Sequence, residues 1–178
     1  MTPRVARAVL AVTLIGVALS HLEWAQADNG HLLVVDGRPI DVQGWLNNLL
    51  NRVRRDCTTV QVLQAENALL HPPLQVLREH SPPASRSARV AGAWASGDWM
   101  LLEVEFDALL PAVVLMHKTG TDWTVAPQGV WSGQTQPWQA APLIRAYLSR
   151  QVASAPAALL ACFDPQSASL NPQLGGPH

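Results

Sequence analysis

The stretch RVAGAWASGDWMLLEVEF, residues 89–106, contains two β-strand patterns separated by a tight-turn signal. The segments 89–95 and 99–106 flank Ser96-Gly97, a residue pair that is typical of a two-residue hairpin turn. Because both segments have strand length and the connection is short, we predict an antiparallel β-hairpin here. The part of the chain before the hairpin is predicted to be mainly helical, and the part that begins with the hairpin is predicted to form a sheet.

The position of the turn predicts which residues of the hairpin share a face. With Ser96-Gly97 at the tip, Trp94 lies opposite Trp99, and small residues of the first strand face large residues of the second. Successive side chains of a strand point to opposite faces. The apolar face of the second strand consists of Met100, Leu102, Val104 and Phe106. The other face carries Trp99, Leu101, Glu103 and Glu105. We expect helices to cover the apolar face and the face of Trp94 and Trp99 to stay partly open.

The hairpin continues into an antiparallel meander. Residues 112–117 are apolar on both faces, which is typical of a strand in a central position. Residues 118–122 turn the chain so that 123–126 pairs back, and 127–129 allows a bend before 130–132. These segments predict a sheet whose strands are neighbours in the sequence.

The clearest helix of the chain begins after Asp41, which is a suitable N-cap. Its apolar residues recur at helical spacing and form one stripe: Val42, Trp45, Leu46, Leu49, Leu50 and Val53. The arginines within residues 52–55 favour its C-terminal end. The opposite side carries Asn47, Asn48 and Asn51, which predicts a solvated face. We therefore expect this helix to pack its stripe into the core.

Further helical patterns occur at residues 73–80, from Pro142 and from Pro156. The element order predicts a single α+β domain, an antiparallel meander sheet with helices packed on one face. A curved sheet that wraps a helix, as in cystatin-like or nuclear-transport-factor-2-like folds, would suit this order. We expect the domain to span residues 28–163, and the Pro-, Ser- and Gly-rich residues 164–178 to be a disordered tail.

Residues 1–27 have the pattern of a cleavable signal peptide. Two arginines give a positive start, residues 8–19 form an uncharged apolar run, and Ala25-Gln26-Ala27 is a small-x-small cleavage pattern. The run is shorter than the roughly 20 residues that span a bilayer. We therefore predict a periplasmic or secreted protein that begins at Asp28. A cut after Ser20 and a retained membrane anchor are the alternatives.

Cys57 and Cys162 are the only cysteines, an even number in a chain that is predicted to be exported. Because such compartments are oxidising, we favour a disulfide between them over two buried thiols. The formal net charge of −1 is too weak for electrostatic binding of nucleic acid or of an anionic membrane. The histidines lack metal-ligand spacing and no cofactor motif stands out, so neither a metal nor a cofactor is expected.

Tryptophan is the unusual residue of the composition, with seven copies against one tyrosine and two phenylalanines. An indole ring has a broad apolar face and one donor, so exposed tryptophans could bind a partner protein or a sugar ring. Burial between sheet and helices is the alternative. Arg145 could anchor an anion, pair with Glu103 or remain a solvated helix charge. The candidate binding residues are Trp94, Trp99, Trp123, Trp131, Trp138 and Arg145.

Glu103 and Glu105 lie on the same side of one predicted strand and could share acid–base catalysis. Two such carboxylates are also what any solvated sheet face presents. We therefore favour a non-enzymatic binding or accessory protein of the cell envelope, which contacts another protein through the tryptophan-rich sheet. The alternatives are a small envelope hydrolase that uses the two carboxylates, and a carrier with a ligand pocket between sheet and helices.

Overall fold

The computed structural model describes residues 22–171, which form two antiparallel sheets and four α-helices in a single α+β domain, as predicted. The smaller sheet has the order β1-β2-β3: Leu22–Ala27, Gly30–Val35 and Arg38–Ile40. The larger sheet has the order β4-β5-β6-β7-β8: Gln61–Leu63, Arg89–Ser96, Trp99–Glu105, Ala112–Thr119 and Asp122–Ser132. The helices α1 to α4 are Val42–Arg54, His71–His80, Ala140–Gln151 and Ala157–Ala161. Two short 3-10 helices are Ala68–Leu70 and Ala84–Ser87.

The predicted hairpin is formed by β5 and β6, but its register differs from the prediction by two residues. Ser96 pairs with Trp99 and Trp94 pairs with Leu101, so the turn consists of Gly97 and Asp98. Gly97 has a φ of +57°, a left-handed conformation that glycine adopts without strain. Because the difference is an even number of residues, the side chains of β5 from Gly92 to Ser96 keep the faces that the sequence predicted; a bulge between Val90 and Gly92 shifts the register of the residues before it.

Helices cover both faces of the larger sheet, whereas the sequence predicted helices on one face only. On one face, Trp94 and Leu101 pack with α3 and α4. On the other face, Leu102 and Val104 pack with α2. Both sides of β6 and β7 are apolar, so both must be removed from water. A curved sheet wrapped around one helix does not describe this arrangement, and the expectation that the face of Trp94 stays open is wrong.

The first part of the predicted disordered tail is packed against the larger sheet. Residues 164–171 make hydrogen bonds to Glu103 and Glu105 of β6. Leu170 is buried in the same cluster as the inner side of α3. The prediction of a disordered tail is therefore wrong for residues 164–171. The composition of this segment does not show that carboxylates on the sheet accept hydrogen bonds from its N–H and hydroxyl groups. Residues 172–178 lie outside the described residues.

The predicted signal peptide falls partly outside the part of the chain that the structure describes. Residues 1–21 are not among the described residues, and the last six residues of the predicted segment form β1. β1 pairs along its whole length with β2. Within residues 22–171, no helix has the length and apolar character needed to cross a membrane.

Cys57 and Cys162 form the predicted disulfide, with their Cα atoms 5.8 Å apart. Cys57 follows α1 by three residues, and Cys162 directly follows α4. The disulfide therefore joins the first α-helix of the described chain to the last one.

Candidate functional site

The apolar stripe of α1 lies on the outside of the protein. The exposed fraction reaches 77% for Val53 and 58% for Trp45. The prediction that this helix packs its stripe into the core is therefore wrong. We use the name α1 stripe for the five exposed residues Trp45, Leu46, Leu49, Leu50 and Val53.

The polar side of α1 is the side that contacts the domain. Oδ1 of Asn48 accepts a hydrogen bond from Nη2 of Arg145 at 2.7 Å, and Nδ2 of Asn51 donates to the carbonyl oxygen of Ala161 at 2.8 Å. Gly44, one turn before Asn48, is buried on the same side. The side that the sequence predicted to be solvated is thus attached to α3 and α4.

The start of α1 is fixed by Asp41, the predicted N-cap. Its Oδ1 accepts a hydrogen bond from the backbone N–H of Gly44 at 2.7 Å. Its Oδ2 accepts a second one from the backbone N–H of Gln139 at 2.9 Å. Asp41 therefore caps α1 and at the same time ties it to the residue before α3.

The end of α1 is held by charge and by the disulfide. Arg52 contacts Asp164 at 3.0 Å, and Arg55 contacts the same carboxylate at 3.7 Å. The Cys57–Cys162 disulfide closes the connection only three residues beyond the helix. Because both ends are fixed, the outward orientation of the α1 stripe is built into the fold.

An exposed stripe of this kind is unusual for a helix of a globular protein. The apolar face of a surface helix normally packs on the core, and the polar face is solvated. Here five large apolar side chains follow one another along a single helix face. Contiguous exposed apolar patches are typical of surfaces that bind another molecule. The α1 stripe is therefore the candidate functional site.

Two clefts border α1, and Trp45 and Leu49 at the edge of the α1 stripe line the first of them. One of about 260 Å³ lies between α1 and the segments 136–141 and 164–171, with Trp45 and Trp138 among its lining residues. The other, of about 420 Å³, is lined by Trp138 together with residues near the start of α1. The predicted place for a ligand pocket, between the larger sheet and its helices, is filled by apolar side chains among the described residues.

Three of the candidate tryptophans belong to the face of the larger sheet that α3 covers. Trp94 is 2% exposed, and its ring meets Phe163 edge-on with 5.0 Å between centroids. Trp99 and Trp131 are half-buried beside the same cluster. The ring of Trp99 lies 4.4 Å from that of His117, centroid to centroid. Trp94 therefore belongs to the hydrophobic core on this face of the sheet, and Trp99 and Trp131 pack against it.

The other two candidate tryptophans lie elsewhere. Trp123 packs on the opposite face of the sheet, where Nζ of Lys118 lies 5.9 Å from its ring centroid. Trp138 is half-buried in the segment before α3 and lines both clefts beside α1. The five candidate tryptophans therefore lie on two different sheet faces and at the rim of the clefts, and they do not form one common surface.

Arg145 is a buried residue of α3 that holds two parts of the chain. Its Nη1 donates to the carbonyl oxygen of Phe163 at 3.0 Å, and its Nη2 donates to Asn48. Burial lowers the pKa of Arg145 to about 10; Asp164 opposes this shift, and neighbouring arginines add to it. The predicted pairing with Glu103 is not present, because other donors occupy that carboxylate.

Glu103 and Glu105 anchor the segment that follows α4. The backbone N–H groups of Gln166 and Ser167 donate to the buried carboxylate of Glu103 at 2.6 and 3.0 Å, and the Ser167 hydroxyl donates to it as well. The Ser169 hydroxyl donates to Glu105 at 2.8 Å. Both carboxylates are therefore engaged in structural hydrogen bonds, which leaves the idea of a catalytic pair without geometric support.

Comparison of the chain with protein-family models, with curated proteins and with solved structures found no match. The described residues contain no group of three or more His, Cys, Asp or Glu side chains that could hold a metal ion.

The exposure of the α1 stripe was missed because periodicity locates the apolar side of a helix without showing whether anything covers it. One signal in the sequence could have pointed to the answer. Gly44, Asn48 and Asn51 share one side of the helix, and Cys57 follows at its end. Small and amide residues beside a predicted disulfide are compatible with close, hydrogen-bonded attachment of that side.

Proposed function

We propose that the protein is a non-enzymatic binding or accessory module of the cell envelope, exported to the periplasm or secreted, that docks on another protein through the α1 stripe. The single observation that carries this proposal is the outward orientation of five large apolar side chains on a helix fixed at both ends. The contact surface thus differs from the tryptophan-rich sheet that the sequence suggested.

The disulfide supports the exported location. Disulfides persist in oxidising compartments and are rare in the cytosol. The Cys57–Cys162 bridge is consistent with such a compartment, and the sequence of residues 1–27 supplies a route to it.

The spacing of the α1 stripe suits helix-in-groove recognition. Trp45, Leu49 and Val53 are four residues apart, so they form one row of anchors along the helix. Tryptophan is one of the residue types that are enriched at binding hot spots. Because α1 is already ordered, docking on it requires little loss of conformational entropy in this protein.

The two alternatives have weaker support. A hydrolase would need free carboxylates in a cleft, whereas Glu103 is buried and accepts three hydrogen bonds. A carrier would need an apolar cavity, and the clefts beside α1 are lined by a mixture of amide, charged and aromatic side chains.

Leu46→Asp tests the proposal, with Leu69→Asp as the matched control. Leu46 belongs to the α1 stripe and is 47% exposed, whereas Leu69 is 59% exposed and lies on the 3-10 helix whose Leu70 packs against the larger sheet. Each tagged protein is incubated with envelope extract, and the retained proteins are identified and quantified.

We expect a defined partner to be retained by the wild type and by Leu69→Asp, and to be reduced at least about tenfold by Leu46→Asp. The thermal midpoints of the three proteins should agree within a few degrees, because both positions are exposed. Equal retention by Leu46→Asp would show that the α1 stripe is not the docking surface.

A further inference from the structure

The charge around the α1 stripe indicates the chemistry of its partner. Resting on the docking function proposed above, we infer that the partner presents an amphipathic helix with carboxylates in its first turn, and that this helix lies antiparallel to α1.

The C-terminal end of the α1 stripe is basic on both of its sides. Arg52 and Arg54 are the sequence neighbours of Val53, and each is rotated from it by about 100° around the helix axis. Both arginines are exposed, and within residues 22–171 Arg54 makes no ion pair. They therefore bracket the apolar row at its end.

The domain neutralises only part of this positive charge. Among the described residues, Asp164 is the one carboxylate within ion-pair distance of the arginines at the end of α1. Arg52 and Arg55 share it. Arg145 lies close enough to Asp164 to interact with it electrostatically. Arg54 adds a further positive charge on the outer side. An excess of positive charge thus remains at this end of the α1 stripe.

The other end of the α1 stripe carries no exposed charge, because the N-cap carboxylate of Asp41 is buried and accepts hydrogen bonds from two backbone N–H groups. Trp45 and Leu46 are flanked along the helix by Gln43, Gly44 and Asn47. α1 contains no acidic residue at all, so its exposed surface is apolar with one basic end. A complementary surface is apolar with one acidic end.

The helix dipole favours one orientation of a helical partner. Carboxylates stabilise a helix when they lie in its first turn, next to the positive N-terminal end of its dipole. For such carboxylates to meet Arg52 and Arg54, the first turn of the partner helix must lie at the C-terminal end of α1. The two helices are then antiparallel. Exposed charge pairs contribute modestly, so they select orientation while the apolar row supplies most of the affinity.

Two other occupants fit the charges less well. In an antiparallel pair of two copies of this chain, the arginines would meet the start of α1, whose first turn has no acidic residue and whose N-cap carboxylate, that of Asp41, is buried and already accepts two hydrogen bonds. An anionic bilayer surface would attract Arg52 and Arg54 but not the chain as a whole, whose formal net charge is −1. Both become outcomes of the test.

Three synthetic peptides with the same amphipathic apolar stripe provide the test. One has two Glu in its first turn, the second has two Glu in its last turn, and the third has Gln at all four positions. Binding of each fluorescein-labelled peptide to the full chain is measured by anisotropy at low and at high salt. The proteins are the wild type, Arg54→Glu, and Arg86→Glu, in which an exposed arginine elsewhere undergoes the same charge change.

We expect the peptide with Glu in its first turn to bind about fivefold more tightly than the Gln peptide, and the peptide with Glu in its last turn to gain less, because carboxylates in a last turn oppose the helix dipole. High salt should reduce the preference, because it screens exposed charges. Arg54→Glu should abolish the preference, whereas Arg86→Glu should keep it.

The outcomes separate this inference from the docking function. Equal binding of all three peptides, with retention still lost in Leu46→Asp, overturns the acidic helix and leaves the docking surface in place. Absence of peptide binding together with full partner retention by Leu46→Asp overturns both. Salt-sensitive binding of the wild type to phosphatidylglycerol vesicles that Arg54→Glu abolishes, or a doubled mass in light scattering that Leu46→Asp abolishes, would replace the protein partner with a membrane or a second copy.

Discussion

Arg145 donates a hydrogen bond from Nη2 to Oδ1 of Asn48 at 2.7 Å, and this contact joins the buried helix α3 to the asparagine side of α1. The guanidinium is also held by the carbonyl oxygen of Phe163, so its position is set by the core. Because this contact holds the asparagine side of α1 against the domain, the apolar stripe on the other side of the helix faces away from the interior. This one polar contact thus contributes to the exposure of the candidate docking surface.

Asn48→Ala should lower the free energy of unfolding by about 1–3 kcal/mol, because it leaves a buried guanidinium N–H without its acceptor. Asn47→Ala is the matched control: Asn47 is exposed and should change the stability by less than about 0.5 kcal/mol. Urea unfolding of both variants measures the difference. Equal effects would mean that the Arg145–Asn48 contact does not hold α1.

The same Leu→Ala substitution should destabilise the protein much less on α1 than on α3. Leu49 lies in the exposed α1 stripe, so Leu49→Ala should lower the free energy of unfolding by less than about 1 kcal/mol. Leu148 is fully buried, and Leu148→Ala should cost about 2–5 kcal/mol, as is typical of core leucines. Urea unfolding measures the free energies of unfolding of the two variants. An equal loss in Leu49→Ala and Leu148→Ala would mean that Leu49 is buried, which would contradict the exposure of the α1 stripe.

The larger sheet could be predicted from the sequence because its determinants are local. A glycine-containing turn, strand-length segments on both sides of it and the alternation of β6 are all visible in residues 89–106. The register was two residues off, since Ser96-Gly97 and Gly97-Asp98 are both acceptable turns, and only packing decides between them. An even displacement preserves the faces, so the predicted partition into two faces survived.

The candidate site could not be predicted because its determinants are not local. The orientation of α1 depends on Asn48 meeting Arg145 and on Asn51 meeting Ala161, pairs that lie about a hundred residues apart in the sequence. A similar reason explains Glu103, whose donors come from residues that composition suggested were disordered. In both cases a polar side chain was interpreted as solvated because its partner was distant in sequence.

Replacing Cys57 and Cys162 together by alanine should destabilise the protein and loosen α1. The bridge spans a sequence separation of 105 residues. Loop-closure entropy for a loop of roughly 100 residues gives an upper value of about 4.7 kcal/mol. Non-reducing peptide mapping should show the two cysteine peptides linked, and the double variant should unfold at lower urea with faster amide exchange in α1. Free thiols in protein isolated from its native compartment would contradict the bridge.

Glu103→Gln should detach the segment of residues 164–171 from the sheet. The carboxylate accepts hydrogen bonds from two backbone N–H groups and one hydroxyl, and an amide would direct its own N–H groups at one of these donors. We expect a loss of about 2–3 kcal/mol and faster proteolysis near the C-terminus. Glu105→Gln, which affects a single hydrogen bond, should cost less than about 1 kcal/mol. Similar proteolysis of the two variants would show that Glu103 is not the anchor.

The mature N-terminus is predicted at Asp28, and cleavage there would remove β1. Among the described residues, β2 is the one strand that pairs with β1, and almost all side chains of β1 are exposed. Loss of β1 should therefore remove its backbone hydrogen bonds to β2 and expose little additional apolar surface. A chain that starts at Asp28 should therefore unfold within a few degrees of one that starts at His21. N-terminal sequencing of the envelope protein should give Asp28. A sequence starting at His21 would indicate the cut after Ser20 and a retained β1, whereas Met1 would indicate that residues 8–19 remain as a membrane anchor.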